Sequence, residues 1–418
     1  MNKDVIHYPA EAVAEAVERF ETPFFLYEEA RIRDNCRRFK GAFDRHFDDF
    51  WPIYAVKANA NPAVLRVIAD EGFGADASSE AEAWICDKLG IKGMYTGNYT
   101  TTETLKFAGE RGFILNLDDA TNLDSFGEGL IPVPELLSFR INPGIGKATN
   151  ESCVTAGPDA KYGIKLEKAV EAYKRAVEMG VKRFGIHMMT GSNVPMEDQN
   201  YFGDIVRKLF EVVVAVKNVL GIEIELMNIG GGFGVPYRPE QDSLDMEEVA
   251  LSVREAFDEC CKKNGLREPR LMAEPGRYIV ADAGWLVGHV TVIKESYRKF
   301  IGLDAASNDM PRPSIYDAYH YVSVLDKEGQ PKVGETERVS VVGTICENND
   351  QFAKDRDLPV CEVGDIVLIH NSGGHAYSMG HNYNGKLRHA EYLIELDGSL
   401  RQIRRAETIE DLYQTVDI

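Results

Sequence analysis

The sequence has no apolar run that approaches the roughly 18 residues needed to span a bilayer. Its start also lacks a basic flank and apolar core, carrying Asp4, Glu11 and Glu15 instead, so neither an anchor nor an export signal is expected. Positive charge is in deficit: 47 Lys and Arg against 67 Asp and Glu leave a net charge of −20, which argues against nucleic acid or an anionic membrane as the main partner. Cysteine is sparse. The seven, at 36, 86, 153, 260, 261, 346 and 361, are odd in number and lie far apart except for Cys260-Cys261, with neither a Cys-x-x-Cys nor a Cys/His zinc spacing. Reduced thiols in a cytoplasm fit this pattern, and no metal site is expected. Repeats, low-complexity tracts and long linkers are missing too; the one loosely polar connection is residues 144–159. A small molecule is left as the default partner.

What is present is a regular alternation. With 418 residues and 44% hydrophobic content, the chain can bury the core of one large or two ordinary domains. Short apolar runs at 50–58, 73–78, 93–97, 113–118, 136–142, 183–190, 223–230 and 270–274 read as strands. Between them, 62–71, 80–89, 102–111, 166–179, 204–220 and 246–264 carry apolar residues at helical spacing. Eight strands with intervening helices predict a (β/α)8 barrel of the TIM type, with a doubly wound sheet as the alternative. After about residue 280 the texture turns β-rich, at 284–293, 339–345, 365–370 and 390–396, with turns at 326–330 and 397–398 and a short acidic helix at 409–415. The expected domains are therefore a barrel at 25–280 and an all-β C-terminal domain at 281–418, with residues 1–24 able to join either.

Within this frame Lys57 stands out. It ends the apolar run Trp51-Pro52-Ile53-Tyr54-Ala55-Val56, where a lysine is seldom enclosed without a partner. Desolvation there is expected to lower its pKa and favour a free amine that condenses with an aldehyde; a lysine merely snorkelling from a strand end is the plain alternative. The seventh strand leads into Asn228-Ile229-Gly230-Gly231-Gly232-Phe233-Gly234 and the eighth into Glu274-Pro275-Gly276-Arg277. In a barrel, the loops after strands 7 and 8 commonly hold phosphate, and small residues let backbone N–H groups approach it. Glu274 is not explained by a phosphate site alone. A carboxylate there suits the ring nitrogen of pyridoxal phosphate, the cofactor that would join lysine, cradle and acid into one constellation.

Through these and further motifs, nearly the whole chain resembles the fold-type III pyridoxal-phosphate decarboxylases. The likeness runs through Tyr54-Ala55-Val56-Lys57-Ala58-Asn59, Gly185-Ile186-His187 with Gly191-Ser192, the glycines at 230–234 and Glu274–Arg277. It continues through Arg312-Pro313-Ser314-Ile315-Tyr316, Cys346-Glu347, and Tyr383-Asn384 with Arg388 and Ala390-Glu391. The resemblance implies that Lys57 forms the Schiff base, with Asp76 near it. It also implies that Ser192, Gly231, Gly232, Gly276 and Arg277 bind phosphate and that Glu274 pairs with the ring nitrogen. Arg312, Tyr316 and Arg277 would clamp a distal substrate carboxylate, Glu347 would face a distal amine, and Cys346 would cross from a second subunit to return a proton. A homodimer with shared sites follows, and so does the expected reaction, meso-diaminopimelate to L-lysine and carbon dioxide. On residues alone, Cys346 at the end of the run 339–345 reads first as a small buried hydrophobe.

Three departures from the family pattern bear on the substrate. Met189 stands where a histidine usually stacks on the cofactor ring, Gly373-Gly374-His375 replaces Gly-Ala-Tyr, and Asn348-Asn349 follows Cys346-Glu347 in place of Ser-Gly. His375 would then meet the phosphate and the substrate, unless Tyr377 takes that part. A decarboxylase of a D-amino acid, a carboxylated polyamine or a carrier-bound acid is one other reading; a racemase and a non-catalytic cofactor-binding relative are the others.

Overall fold

The structure, a computed structural model, describes residues 2–148, 154–194 and 200–417; of the polar connection expected at 144–159, residues 149–153 lie outside the described residues. The chain divides into two compact units, one of residues 35–234 and 244–276, the other of residues 1–34, 235–243 and 277–418. The first strand of the chain, β1 (Phe24–Glu28), belongs to the second of these.

In the first unit, parallel strands β2 (Trp51–Ala55), β3 (Gly74–Ala77), β4 (Gly93–Tyr95), β5 (Ile114–Leu117) and β6 (Leu136–Asn142) pair in succession. The two-residue β7 (Ile164–Lys165) is added at the end of β6, and β8 (Arg183–His187), β9 (Ile224–Asn228) and β10 (Arg270–Ala273) continue the ring. Met272 of β10 pairs back with Trp51 of β2, which closes an eight-stranded barrel and removes the doubly wound alternative. The strands hold because their interiors are apolar: Ile53, Met94 and Met272 are fully buried, with Leu226, in one cluster. Helices Glu80–Lys88, Thr102–Glu110 and Met246–Asn264 start where Ser79, Thr101 and Asp245 accept backbone N–H bonds from the first turn, as capping chemistry predicts. Between helices and strands lies a layer of aromatic rings, Phe202 stacked on Phe233 at 4.3 Å and Phe43 on Phe50 at 4.6 Å. Each such ring contributes roughly 1.5–3 kcal/mol by burial, so the strand ends stand on a stiff support.

The second unit is β-rich. Its strands are β1, β11 (Gly284–Glu295), β12 (Lys299–Leu303), β13 (Val322–Leu325), β14 (Thr336–Val342), β15 (Gln351–Pro359), β16 (Ile366–Ile369), β17 (Ala390–Ile394) and β18 (Leu400–Arg404). They pair in the order β15-β14-β12-β11-β1-β17-β18, while β16 bridges β11 and β13. β1 sits centrally, antiparallel to β11 and parallel to β17, because all but its last residue are buried. Phe24 and Leu26 join Trp285, Val287, Leu368 and Leu393's neighbour Tyr392 in a core that helix Ala10–Arg19 covers with Val13 and Ala16. Residues 1–34 are thus part of this unit by packing.

Two uncharged histidines lie inside it. His320 accepts from Arg312 at 2.9 Å on Nε2 and donates from Nδ1 to the His370 carbonyl at 2.7 Å; burial, then Arg312, push its pKa far down. His370 is 2.9 Å from the Ser323 hydroxyl, and burial brings it down to about 3. Between the unfolded value of about 6.5 and these folded values, the unfolded chain binds more protons. Stability is therefore expected to fall as pH drops below about 6.5, by at most ~1.4 kcal/mol per pH unit for each ring. Urea midpoints at about pH 7.5 and pH 5 measure this, and His370→Gln should flatten the acid slope. An unchanged slope in that variant would remove His370 from the account.

Candidate active site

Barrel strands are apolar inside, so polar side chains collect where their C-terminal ends run out of ladder. β2 passes into the tight turn Val56–Ala58, which carries Lys57. Its Nζ is 3.2 Å from Asp76 Oδ2 on β3; the lysine side chain is 44% exposed, the aspartate 1%. Removing part of the side chain from water would by itself lower the amine, but Asp76, Glu274 and Glu82 outweigh that effect and raise the pKa above its ordinary value. The expectation of a free amine made by desolvation is therefore corrected: three carboxylates around one ammonium favour the charge. Asp76 itself is raised, by burial and then by Glu274, more than Lys57 lowers it.

Glu274, just past β10, is 3% exposed. Burial would raise its carboxyl, yet His187 at 3.1 Å from Oε1, Lys57, and the Asn228 amide donating at 2.7 Å together hold it at about 2. His187 and Asn228 are the last residues of β8 and β9, and His187 Nδ1 lies 2.9 Å from the Asn116 amide nitrogen on β5. Two atoms of this buried cluster, Asp76 Oδ1 and His187 Nε2, have no aligned hydrogen-bond partner among the described residues. A dry interior does not leave such atoms idle without cause.

Beside this cluster runs the glycine segment. Gly230 and Gly232 have φ of +70° and +95°; a Cβ on Gly231 would stand 2.5 Å from the Glu274 carbonyl, and one on Gly232 2.8 Å from that of Gly191. Side chains are excluded here by the backbone itself. Among the described residues the Gly231 N–H meets only the Met189 sulfur, at 3.1 Å, a weak acceptor that an oxyanion would displace. Ser192 follows β8 and is half-buried, and a Cβ on Gly276 would press on Ala55 and Ala58 at 3.1 Å. So Lys57, Asp76, Met189, Gly231, Gly232, Glu274 and Gly276 all lie at one set of strand ends.

The remaining predicted residues belong to the β-rich unit. Arg277 and Arg312 are both buried and both donate to the Tyr237 hydroxyl, Arg312 at 2.8 Å. Burial would raise that phenol, but the two guanidiniums lower it. Arg312 opens the helical turn that Tyr316 ends, and with His320 and Tyr237 as fixed partners its fork is held in place. Cys346 lies beyond β14, not on it: the strand stops at Val342, and the thiol is exposed in a loop, with its N–H given to Asn384 Oδ1 at 2.7 Å. That position disposes of the buried-hydrophobe alternative within the chain. Asp350, 3% exposed, shapes the loop by accepting from the backbones of Ser307 (2.7 Å) and Ile345 (2.9 Å), leaving Glu347 exposed. His375 is half-buried at φ +58°, and the Tyr377 ring lies under Arg388 at 4.0 Å and Arg404 at 4.7 Å.

Sequence reasoning missed His187, Asn228 and Asn116 as supports of the acid, and Tyr237 and His320 as supports of Arg312. A polar residue closing an apolar barrel strand is a signal that could have found His187 and Asn228; nothing local marks Tyr237. No group of three side chains suited to a metal occurs among the described residues, and none of their helices is long and apolar enough to cross a membrane.

Comparison with known proteins follows the same lines. The family described as "Pyridoxal-dependent decarboxylase, pyridoxal binding domain" matches residues 29–281. The diaminopimelate decarboxylase of Methanothermobacter thermautotrophicus is 38% identical over 408 residues, 97% of this chain and 94% of that protein. Protein TabA of Pseudomonas amygdali pv. tabaci is 35% identical over 414 residues, again 97% and 94%. Among solved structures, that of diaminopimelate decarboxylase from M. jannaschii in co-complex with L-lysine aligns with a TM-score of 0.87 at 33% identity, over 97% of this chain and 94% of the other.

Proposed function

We propose that this chain, which belongs to the pyridoxal-dependent decarboxylase family, removes carbon dioxide from an amino dicarboxylate, meso-diaminopimelate, and leaves L-lysine. The observation that carries the reading is the meeting of Lys57, an ionised Glu274 and a side-chain-free glycine segment at the strand ends of one barrel. These residues fit pyridoxal phosphate: an amine, an acid that stays charged, backbone N–H groups without competing side chains, and a buried Asp76 oxygen with no aligned partner among the described residues. When bound, the cofactor supplies an electron sink for the pair released as the carboxylate departs.

The chain's own residues then take these parts. Lys57 is the amine for the cofactor's aldehyde, with Asp76 beside it. Glu274 keeps a proton on the ring nitrogen, because His187, Lys57 and Asn228 hold its carboxyl below the ordinary carboxylate range and so keep it an anion at neutral pH. Gly231, Gly232, Ser192, Gly276 and Arg277 hold the phosphate, with His375 as a further donor. Met189 covers a ring face by dispersion, without a proton to give. Arg312, Tyr316 and Arg277 grip the distal carboxylate, for which a fixed fork is suited, and Glu347 faces the distal amine. Cys346 of the partner subunit returns the proton to carbon, so the working form is a cytoplasmic homodimer. Met189, His375 and Asn348-Asn349 favour one second reading, a decarboxylase of the same type with a different substrate.

Carbon dioxide release from a panel of amino dicarboxylates and basic amino acids of both configurations tests both. Diaminopimelate should give the fastest release. Faster release from a monocarboxylic diamine would replace the first reading with the second, and none from any amino acid would remove both.

A further inference from the structure

We propose that the β-rich unit carries a second binding site, for a small oxyanion, formed by Arg238 and Arg356 around Tyr319. Both guanidinium carbons lie over the Tyr319 ring, 3.9 and 3.5 Å from its centroid. Elsewhere in the chain most arginines meet a carboxylate within a few ångströms. Here Asp355 is engaged with Arg298 at 2.5 Å, Asp357 with Arg338 at 3.4 Å and Asp317 with Lys354 at 2.9 Å, while Glu240 and Asp242, two and four residues beyond Arg238, make no ion pair with either arginine among the described residues. Among the described residues, no carboxylate pairs with either Arg238 or Arg356. Arg356 gives one long hydrogen bond, 3.3 Å, to the His320 carbonyl.

Two cations over one phenol repel each other. Burial, and then Arg238, lower the Arg356 pKa although Tyr319, Asp317 and Glu240 act the other way. What such a pair lacks is an anion that both forks can grip. A cavity of about 190 Å3 opens at this place, walled also by Pro313, Phe352 and the Lys354–Asp317 ion pair, whose lysine offsets the one carboxylate in the wall. That is below the ~300–1,000 Å3 of sites for drug-sized ligands, so the occupant is one oxyanion, a phosphate or the carboxylate of a short acid. A larger cavity, about 470 Å3 in the barrel unit, carries no such argument: its Arg183, Arg254 and Arg270 are already paired with Glu225, Glu268 and Asp49, and its fourth arginine, Arg267, is exposed with no second cation beside it left unpaired.

The test is calorimetric titration of the cofactor-loaded enzyme with inorganic phosphate. Wild type and Arg312→Met should show the same saturable site, which keeps it distinct from the proposed substrate clamp. Arg238→Gln, at an exposed position and thus harmless to folding, should weaken it at least about tenfold. In the Arg312→Met background, succinate that displaces phosphate identifies a carboxylate-reading site, and succinate that does not identifies a phosphate-selective one. No saturable binding in wild type, or equal binding by Arg238→Gln, overturns the proposal.

Discussion

Lys57→Ala is expected to lower decarboxylation on the order of 10^4-fold or more, because it removes the amine proposed to condense with the cofactor's aldehyde. Lys57 is the amine among Asp76, Glu274 and Glu82, and alanine would leave those carboxylates facing one another. Borohydride reduction of the loaded enzyme followed by peptide mapping should find the pyridoxyl group on Lys57; finding it on another lysine would sink the assignment. The same variant tests the shared site. Cys346→Ala should be nearly inactive by itself, since the exposed loop thiol is the proposed proton donor of the partner subunit. Mixed with Lys57→Ala, it should regain about a quarter of full activity if subunits exchange at random, half of the dimers being mixed and each of those having one intact site of two. No recovery after demonstrated exchange would mean that each site is built from one chain.

Arg312→Met is expected to erase most of the preference for diaminopimelate over lysine or ornithine, a preference of about 10^4 in kcat/KM for a site built to hydrogen-bond a group that the competitors lack. The guanidinium is buried and fixed by Tyr237 and His320, so its fork is ordered before any substrate arrives. Most of the loss should appear in diaminopimelate's kcat/KM, while borohydride labelling of Lys57 continues. Tyr237→Phe removes one hydroxyl partner from both arginines and should produce a smaller loss in the same direction. A variant that keeps the full preference would assign the distal carboxylate to other residues.

The barrel was legible because its signals are local. Apolar runs bounded by turn residues and helical spacing between them placed all eight strands and helices such as Leu166–Met179 and Met246–Asn264 where they occur. Lys57, Gly231, Gly232 and Glu274 were legible for a related reason. A lysine at the end of an apolar strand, a glycine run and an acid before Pro-Gly each break the local pattern, and strand ends are where a barrel tolerates such breaks. The β-rich unit was harder. Its central strand is β1, whose partners β11 and β17 are more than 250 residues away, and no periodicity names a partner.

By itself, then, the sequence determined the alternation that closes the barrel, the strand ends at which chemistry could stand, and the residue types found there, since each depends on neighbours within a few positions. Tertiary structure alone decided the charge states and the supports. Lys57 is raised rather than lowered because carboxylates from a strand, a strand end and a helix converge on it, and electrostatic sums run over space, not along the chain. Glu274 stays ionised through His187 and Asn228, which come from two other strands, and Arg312 is aimed by Tyr237, 75 residues earlier. Such pairings cost chain entropy to form and leave no mark on local propensity, so they become visible only when the folded chain brings the partners within hydrogen-bonding distance.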